Sequence, residues 1–290
     1  MFNGLIAAYM FLGGAGAGMA LVLAVLALRG LRMFAPGATS GISLPLVLSH
    51  RRLIGLGFIV SCGICALGSF CLMADMKRPE ALLTLLAHPS LTVSSVGAYA
   101  LAAIIGISLL LGSAYLSRRV WPCVAVRAAL LGCVVLCAVV MTYTGLLFTA
   151  FSAAPLFRTG WVVPLFVLSS LSCGCALVGL WAQVSRTASA FAKELAAIDL
   201  VDGVVILLES VAMAAFVADA ATVAPSSASA LLSGDCALLF WTGVVGCGLV
   251  LPLAMGAARR LGWTRFRPVS SAPLVLVGGF VLRWCMLRVA

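Results

Sequence analysis

Long runs of apolar residues dominate this chain, and short clusters of charged, proline or small polar residues separate them. Eight runs reach the roughly 20 mostly apolar residues that a membrane-spanning helix needs. Strands of a membrane barrel would be about half as long and would alternate in polarity. The pattern therefore predicts an all-α integral membrane protein, a single polytopic domain over residues 1–290 with eight transmembrane helices in two four-helix bundles. The predicted spans are 4–28, 53–74, 93–116, 125–148, 161–183, 202–222, 236–257 and 272–289.

Composition and charge agree with a membrane protein and exclude a nucleic-acid-binding one. Hydrophobic residues make up 64% of the chain and charged residues only 9%, whereas a soluble domain carries about 25% charged residues. The net charge of +10 comes from short loops at the ends of the apolar runs. Thirteen Lys and Arg residues follow runs one, three, five and seven, and five lie elsewhere. By the positive-inside rule, those four loops face the cytoplasm and both termini lie outside the inner membrane.

The glycine-rich stretch FLGGAGAG, residues 11–18, lies inside the first apolar run. A dinucleotide-binding glycine loop follows a strand and opens a helix, and this run has no room for that unit. Gly14 and Gly18 have the four-residue spacing of small residues through which membrane helices pack closely. We therefore predict that another helix lies against this face. Gly14→Leu or Gly18→Leu should disrupt that contact, and Gly18→Ala should be much milder.

Ionisable residues inside the predicted spans are costly in lipid, so each is a candidate functional group. Glu209 in run six and Arg283 in run eight lie at similar depths, which predicts an ion pair. That pair either fastens two helices together or belongs to a proton or quinone pathway. Asp202 lies two helical turns before Glu209 on nearly the same face, and it either caps the helix or relays protons. Asp199 is predicted to be a helix cap.

A further set of polar side chains falls near the predicted outer membrane face. A phenol at this depth either anchors a helix at the membrane interface or donates a hydrogen bond to a carbonyl oxygen. Asp75 either handles a proton or pairs structurally with Arg78. The set comprises Tyr9, Asp75, Lys77, Arg78, Glu80, Tyr143 and Thr144.

The histidines and cysteines form no pattern that predicts a metal site. His50 and His88 are expected on opposite sides of the membrane, so they cannot ligate one haem iron. Most of the 11 cysteines lie inside the apolar runs, where a thiol usually packs as a small hydrophobic group. The sequence therefore predicts no haem and no metal in this chain.

Four sequence segments, taken together and in order, resemble the corresponding segments of one family of membrane proteins. The family is that of the polysulfide reductase membrane subunits, also called NrfD-like. Met76 and Lys77 depart from the resemblance, because the family commonly has Leu and Gly there. The segments are AYMFLGGAGAG, LMADMKRPEALLTLLAHPSLTVSSVGAY, VMTYTGLLFTAFSAAPLF and LVLVGGFVLRW.

The resemblance implies a quinone-reactive membrane anchor of a complex iron–sulfur molybdoenzyme. Such an anchor exchanges electrons between the quinone pool, menaquinone or ubiquinone, and an iron–sulfur subunit docked outside. That partner is of the four-cluster ferredoxin-like kind and accompanies a molybdopterin catalytic subunit. Tyr143, Asp75, Arg78, Glu209 and Arg283 match positions in the family segments, Glu209 more loosely than the others.

Together with the positions of the other polar residues, the resemblance implies three functional groups. The quinone site would consist of Tyr143, Thr144, Tyr9 and Asp75. The proton pathway would contain Asp202, Glu209 and Arg283. Structural or partner contacts in the outer loop would come from Arg78, Glu80 and His88.

Two other functions remain open on the sequence. Eight spans with buried charges also suit a secondary transporter, although the two halves show no convincing internal repeat. A structural scaffold without a quinone site would leave Tyr143 and Arg283 free to vary. A quinone-binding titration on the purified protein separates these alternatives from a quinone-reactive anchor.

The charge bias generates a prediction of membrane topology. A reporter fused after Arg119 should report a cytoplasmic position, and one fused after Asp219 should report an external position. The physical reason is the retention of Lys- and Arg-rich loops on the cytoplasmic side. The reverse pattern in paired alkaline phosphatase and fluorescent-protein fusions would contradict the placement of both termini outside.

Overall fold

The computed structural model of this chain describes residues 4–34, 42–43, 51–75, 93–117, 120–150, 155–234, 236–261 and 271–289. Almost all of these residues are helical, which confirms the predicted all-α fold. Two short strands, β1 (Ile42–Ser43) and β2 (Val120–Trp121), pair antiparallel. The helices are α1 (Gly4–Phe34), α2 (Leu56–Asp75), α3 (Val93–Leu116), α4 (Cys123–Ala150), α5 (Val162–Val184), α6 (Ala192–Val223), α7 (Pro225–Leu232), α8 (Ala237–Arg260) and α9 (Ala272–Val289).

Two of the spans contain non-α segments. A π-helical turn, Arg51–Gly55, leads into α2, and the middle of α8, Phe240–Val250, is π-helical as well. Pro155–Arg158 forms a 3₁₀ turn before α5. π-Helices are rare, occur mostly as single-turn bulges and are frequent at functional sites. The π-helical segment of α8 lies beside the buried side chain of Glu209.

Within the described residues, eight helices are long and apolar enough to cross a membrane, which confirms the predicted number of spans. The largest difference in boundaries concerns α6, which begins at Ala192 rather than near residue 202. Its first ten residues, AKELAAIDLV, include strong helix formers but also three charges, so a search for apolar runs misses them.

The position of α6 corrects the predicted cap at Asp199. The N-cap of α6 is Phe191, which makes no side-chain capping hydrogen bond. Asp199 and Asp202 therefore lie well inside the helix, and neither residue caps its start. Asp199 instead forms an ion pair with Arg259 of α8 at 2.5 Å.

Helix α1 lies in the middle of the helix bundle. It packs extensively against α2, α4 and α5 and also contacts α9, while α5 packs against α4, α6 and α9 as well. Since the contact between α1 and α5 joins the two halves of the chain, the predicted division into two four-helix bundles is not confirmed. The core lies around α1, where most side chains of the first span are buried.

The glycines of α1 make that close packing possible. A Cβ at Gly18 would overlap the carbonyl group of Ser170, and a Cβ at Gly174 would overlap the backbone of Gly18. On the α2 side, a Cβ at Gly16 would lie 2.6 Å from the sulfur of Cys65. The predicted packing face is therefore confirmed, and its neighbours are α5 and α2.

This geometry predicts a measurable loss of stability even for Gly18→Ala, which the spacing alone predicted to be much milder than Gly18→Leu. A methyl group at residue 18 would occupy the space of the Ser170 carbonyl, and overpacking of this kind costs about 1–3 kcal/mol. We expect Gly18→Ala to lower both the yield of folded protein and its melting temperature in detergent. Gly13→Ala is the matched control, because a Cβ there meets nothing within 4 Å. Equal melting temperatures for the two variants would show that α1 and α5 do not touch at Gly18.

Candidate functional site

Two buried tyrosines meet where the start of α1 lies beside the last third of α4. The hydroxyl of Tyr9 donates to the hydroxyl of Tyr143 at 3.5 Å, a long distance for two hydroxyl groups. Thr144 is also buried, but its hydroxyl donates to the carbonyl of Met141 in its own helix at 2.7 Å. The structure therefore brings Tyr9 and Tyr143 together and leaves Thr144 bonded within α4.

Tyr143 also forms part of the wall of a groove between α3 and α4. The groove has a volume of about 570 Å³, and exposed apolar side chains such as Val96, Val135 and Leu146 line it. The hydroxyl of Thr142, another lining residue, donates to the backbone of α4. An apolar groove with few polar groups is typical of sites that bind apolar small molecules.

Gly97 of α3 fixes the position of the Tyr143 ring. A Cβ at residue 97 would overlap that ring, so the phenol lies directly against the backbone of α3. The ring is thereby held at the inner wall of the groove, with its hydroxyl next to that of Tyr9. A side chain at residue 97 would displace the ring.

A second group of polar side chains lies where α5 contacts α6 and α9. The hydroxyl of Ser172 donates to the Asp202 carboxylate at 2.7 Å. One turn away on α5, Ser169 lines the same small cavity as Glu209 and accepts a hydrogen bond from Arg283 at 3.4 Å. The two carboxylates of α6 thus each face a serine of α5, as expected for residues on nearly the same helix face.

Arg283 is completely buried and is surrounded by neutral partners. Its Nη1 donates to the carbonyl of Gly279 at 2.7 Å, and its Nη2 donates to the hydroxyl of Ser170 at 2.8 Å. The guanidinium also lies 5.7 Å from the ring centre of Phe11 and 5.3 Å from that of Phe166, within the range of cation–π attraction. Its Nε has no hydrogen-bond partner among the described residues.

The predicted direct ion pair between Glu209 and Arg283 does not form. Within the described part of the chain, the ion pair that does form joins Arg259 to Asp199. Helices α6 and α9 both pack on α5, where Ser169 bonds to Arg283 and lines the same small cavity as Glu209. Ser169 is therefore next to both charged groups, which form no ion pair with each other.

The cavities beside the carboxylates of Glu209 and Asp202 differ greatly in volume. Glu209 adjoins a small cavity of about 10 Å³, which the π-helical part of α8 helps to enclose through Val244 and Gly248. This volume is close to the minimum for one water molecule. Asp202, in contrast, lines two larger and more open cavities of about 230 Å³ and 560 Å³. Asp202 is thus the more accessible of the two groups.

Several predicted residues lie outside the part of the chain that the structure describes. They are Arg78, Glu80 and His88 of the outer loop, together with His50. Asp75 is the last residue of α2, and its side chain also lies outside the described part. Among the described residues, no group of three or more His, Cys, Asp or Glu side chains is arranged to hold a metal ion.

Comparison with known protein families decides the class of this membrane protein. The family model described as polysulphide reductase, NrfD, matches residues 1–290, the whole chain. The chain belongs to the NrfD family. NrfD proteins are membrane subunits of polysulfide reductase-type complexes, and they typically accompany iron–sulfur and molybdoenzyme subunits. A search of the curated proteins found no match.

Three important residues of this NrfD subunit were missed by sequence reasoning. Ser169 and Ser172 are the α5 partners of Glu209 and Asp202, and Gly97 supports the ring of Tyr143. Hydroxyl groups in the middle of the fifth apolar run, in the segment SSLS, were a usable signal because buried polar groups require partners. The contact between Gly97 and Tyr143 had no such signal, since the two residues are distant in sequence.

Proposed function

We propose that this NrfD subunit is a quinone-reactive membrane anchor. It would pass electrons between the membrane quinone pool, menaquinone or ubiquinone, and an iron–sulfur subunit docked outside. The observation that carries the proposal is the Tyr9–Tyr143 pair at the inner wall of the groove between α3 and α4. The family supports it, because NrfD proteins are associated with quinone-interacting complexes.

The groove and the tyrosine pair have the chemistry that a quinone requires. Apolar walls suit the ring and the isoprenoid tail, and the phenol of Tyr143 can donate to a carbonyl oxygen. Because Tyr9 donates to Tyr143, the proton of Tyr143 remains available for that bond. The bond becomes stronger as the carbonyl oxygen gains negative charge. The redox chemistry belongs to the quinone, and the protein supplies its position.

The depth of Tyr143 fits a docked electron-transfer partner. Seven residues separate it from the last residue of α4, Ala150, which corresponds to about 10 Å of helical rise. With both termini outside the inner membrane, this end of α4 faces the exterior. A quinone ring at this depth would lie near an external iron–sulfur cluster, and its tail could stay in lipid.

The variant Tyr143→Phe tests the quinone site. It removes the hydroxyl and keeps the ring against Gly97, so the complex should still assemble. Losing a hydrogen bond to a group that becomes charged costs about 1.5–3 kcal/mol, and we expect quinol-linked turnover to fall about tenfold or more. Electron transfer between the partner subunits and soluble dyes should be unchanged.

Tyr115→Phe is the matched control for this measurement. Tyr115 is a buried tyrosine near the other end of α3, and it does not line the groove. We expect this variant to retain quinol-linked turnover. If Tyr143→Phe behaves like Tyr115→Phe in an intact complex, Tyr143 does not contact the quinone and the proposed site is wrong.

We also propose that Asp202, Glu209 and Arg283 belong to a proton pathway. At one end of this pathway, Asp202 lines open cavities. Glu209 lies deeper, beside a cavity close in size to one water molecule. Ser172 donates to the Asp202 carboxylate, and Ser169 lies beside Glu209 at the small cavity and accepts a hydrogen bond from Arg283. Hydroxyl groups and an enclosed water can pass protons between carboxylates that do not touch. The transporter alternative loses support, because its direct Glu209–Arg283 pair does not form.

Glu209→Gln tests the pathway, since the amide keeps the size of the side chain and cannot exchange a proton. We expect quinone-linked turnover and the associated proton uptake, followed with a pH-sensitive dye in vesicles, to fall about tenfold or more. Glu209→Asp should restore part of the rate. Glu194→Gln, at an exposed carboxylate in the first turn of the same helix, is the control. Unchanged proton uptake in Glu209→Gln would remove Glu209 from the pathway.

A further inference from the structure

A cleft separates α6 from the C-terminal half of α8. Its volume is about 560 Å³, and it exists because α6 packs mainly on α5 and makes few contacts with α8. Gly203 on α6 and Gly256 on α8 face it without side chains. The cleft shares no lining residue with the groove beside Tyr143, although Asp202, which lines it, also belongs to the proposed proton pathway.

The two ends of this cleft have opposite character. Val204 and Leu207 of α6, both about half exposed, and Leu253 of α8 form an apolar wall. At the other end lie two arginines and two aspartates, Arg259, Arg260, Asp199 and Asp202. An apolar slot between two membrane helices with charged groups at its mouth matches the division of a phospholipid into acyl chains and headgroup.

The charged groups at the mouth are not equivalent. Arg259 and Asp199 neutralise each other at 2.5 Å. Arg260 is exposed and has no ion pair among the described residues. A Cβ at Gly203 would lie 3.3 Å from the Nη2 of Arg260, which shows that this guanidinium reaches across the cleft to α6. Within the described residues, the mouth therefore presents Arg260 to an anion, with the Asp202 carboxylate below it.

We propose that this cleft binds a phospholipid that carries both a phosphate and a primary ammonium group, as phosphatidylethanolamine does. The phosphate would bind Arg260, the ammonium would face Asp202, and an acyl chain would lie along Val204, Leu207 and Leu253. Basic pockets between membrane helices bind lipid headgroups in this manner. A purely anionic headgroup would leave Asp202 beside a second negative charge, and a soluble anion would leave the apolar wall uncovered.

Native mass spectrometry can test the site directly. The protein is reconstituted into bilayers of equal parts phosphatidylethanolamine, phosphatidylcholine and phosphatidylglycerol, extracted into detergent, and weighed with its retained lipid. We expect wild-type protein to retain one phosphatidylethanolamine in preference to the other two. Arg260→Gln should lower this retention about tenfold or more, because a charge-assisted hydrogen bond is lost.

Two further variants test the acyl slot and the ammonium site. A Cβ at Gly256 meets only Arg259, at 3.8 Å, so Gly256→Leu should fill the slot without disturbing the helices and lower retention of every lipid. Asp202→Asn should abolish the preference for phosphatidylethanolamine over phosphatidylcholine. Retention of that preference in Asp202→Asn would overturn the assignment of the ammonium group.

Matched controls exclude general effects of charge and bulk. Arg52→Gln removes an exposed arginine that does not line the cleft, and Gly63→Leu adds the same side chain at an exposed glycine whose Cβ would meet nothing within 4 Å. Both variants should retain lipid like the wild type. Equal retention of the three lipids by wild-type protein, a preference for phosphatidylglycerol, or the same loss in variants and controls would each overturn the proposal.

Discussion

The arrangement of this membrane protein depends on the direct approach of two helix backbones, α1 and α5, at Gly18 and Gly174. In lipid, helices associate through close packing rather than through the hydrophobic effect, and neither glycine has room for a Cβ. The same crossing brings Ser170 next to Gly14, where it accepts a hydrogen bond from Arg283. This close contact thus also provides a partner for the completely buried guanidinium of Arg283.

Helix α5 then determines how the buried charges are satisfied. Ser169 and Ser170 accept hydrogen bonds from Arg283, Ser172 donates to Asp202, and Ser169 also lines the cavity beside Glu209. A direct buried ion pair recovers its desolvation cost only with excellent geometry and additional hydrogen bonds. Here hydroxyl groups and aromatic rings surround the guanidinium, and Glu209 forms no ion pair with it.

The polar groups described above lie at different depths along the helices, and the cavities beside them differ in how open they are. The tyrosine pair lies at one end of the helices beside an apolar groove, and the carboxylate of Asp202 lies at the mouth of a cleft on the other half of the molecule. Glu209 lies in an enclosed position. The three polar groups are thus kept apart along the helices.

The class of the protein and the approximate positions of its eight described spans can be predicted from the amino-acid sequence, because the free energy of placing a residue in lipid depends mainly on its own polarity. Hydropathy misplaced the start of α6, where helix-forming but charged residues extend the helix beyond its apolar part. The packing role of the glycines in α1 was also readable, since the spacing of small residues is a local property. Helix packing, in contrast, places Tyr9 beside Tyr143, Gly97 against the ring of Tyr143, and Ser169 next to both Glu209 and Arg283. Each of these contacts joins residues far apart in the chain, and the lateral packing that creates them depends on the shapes of several helices at once.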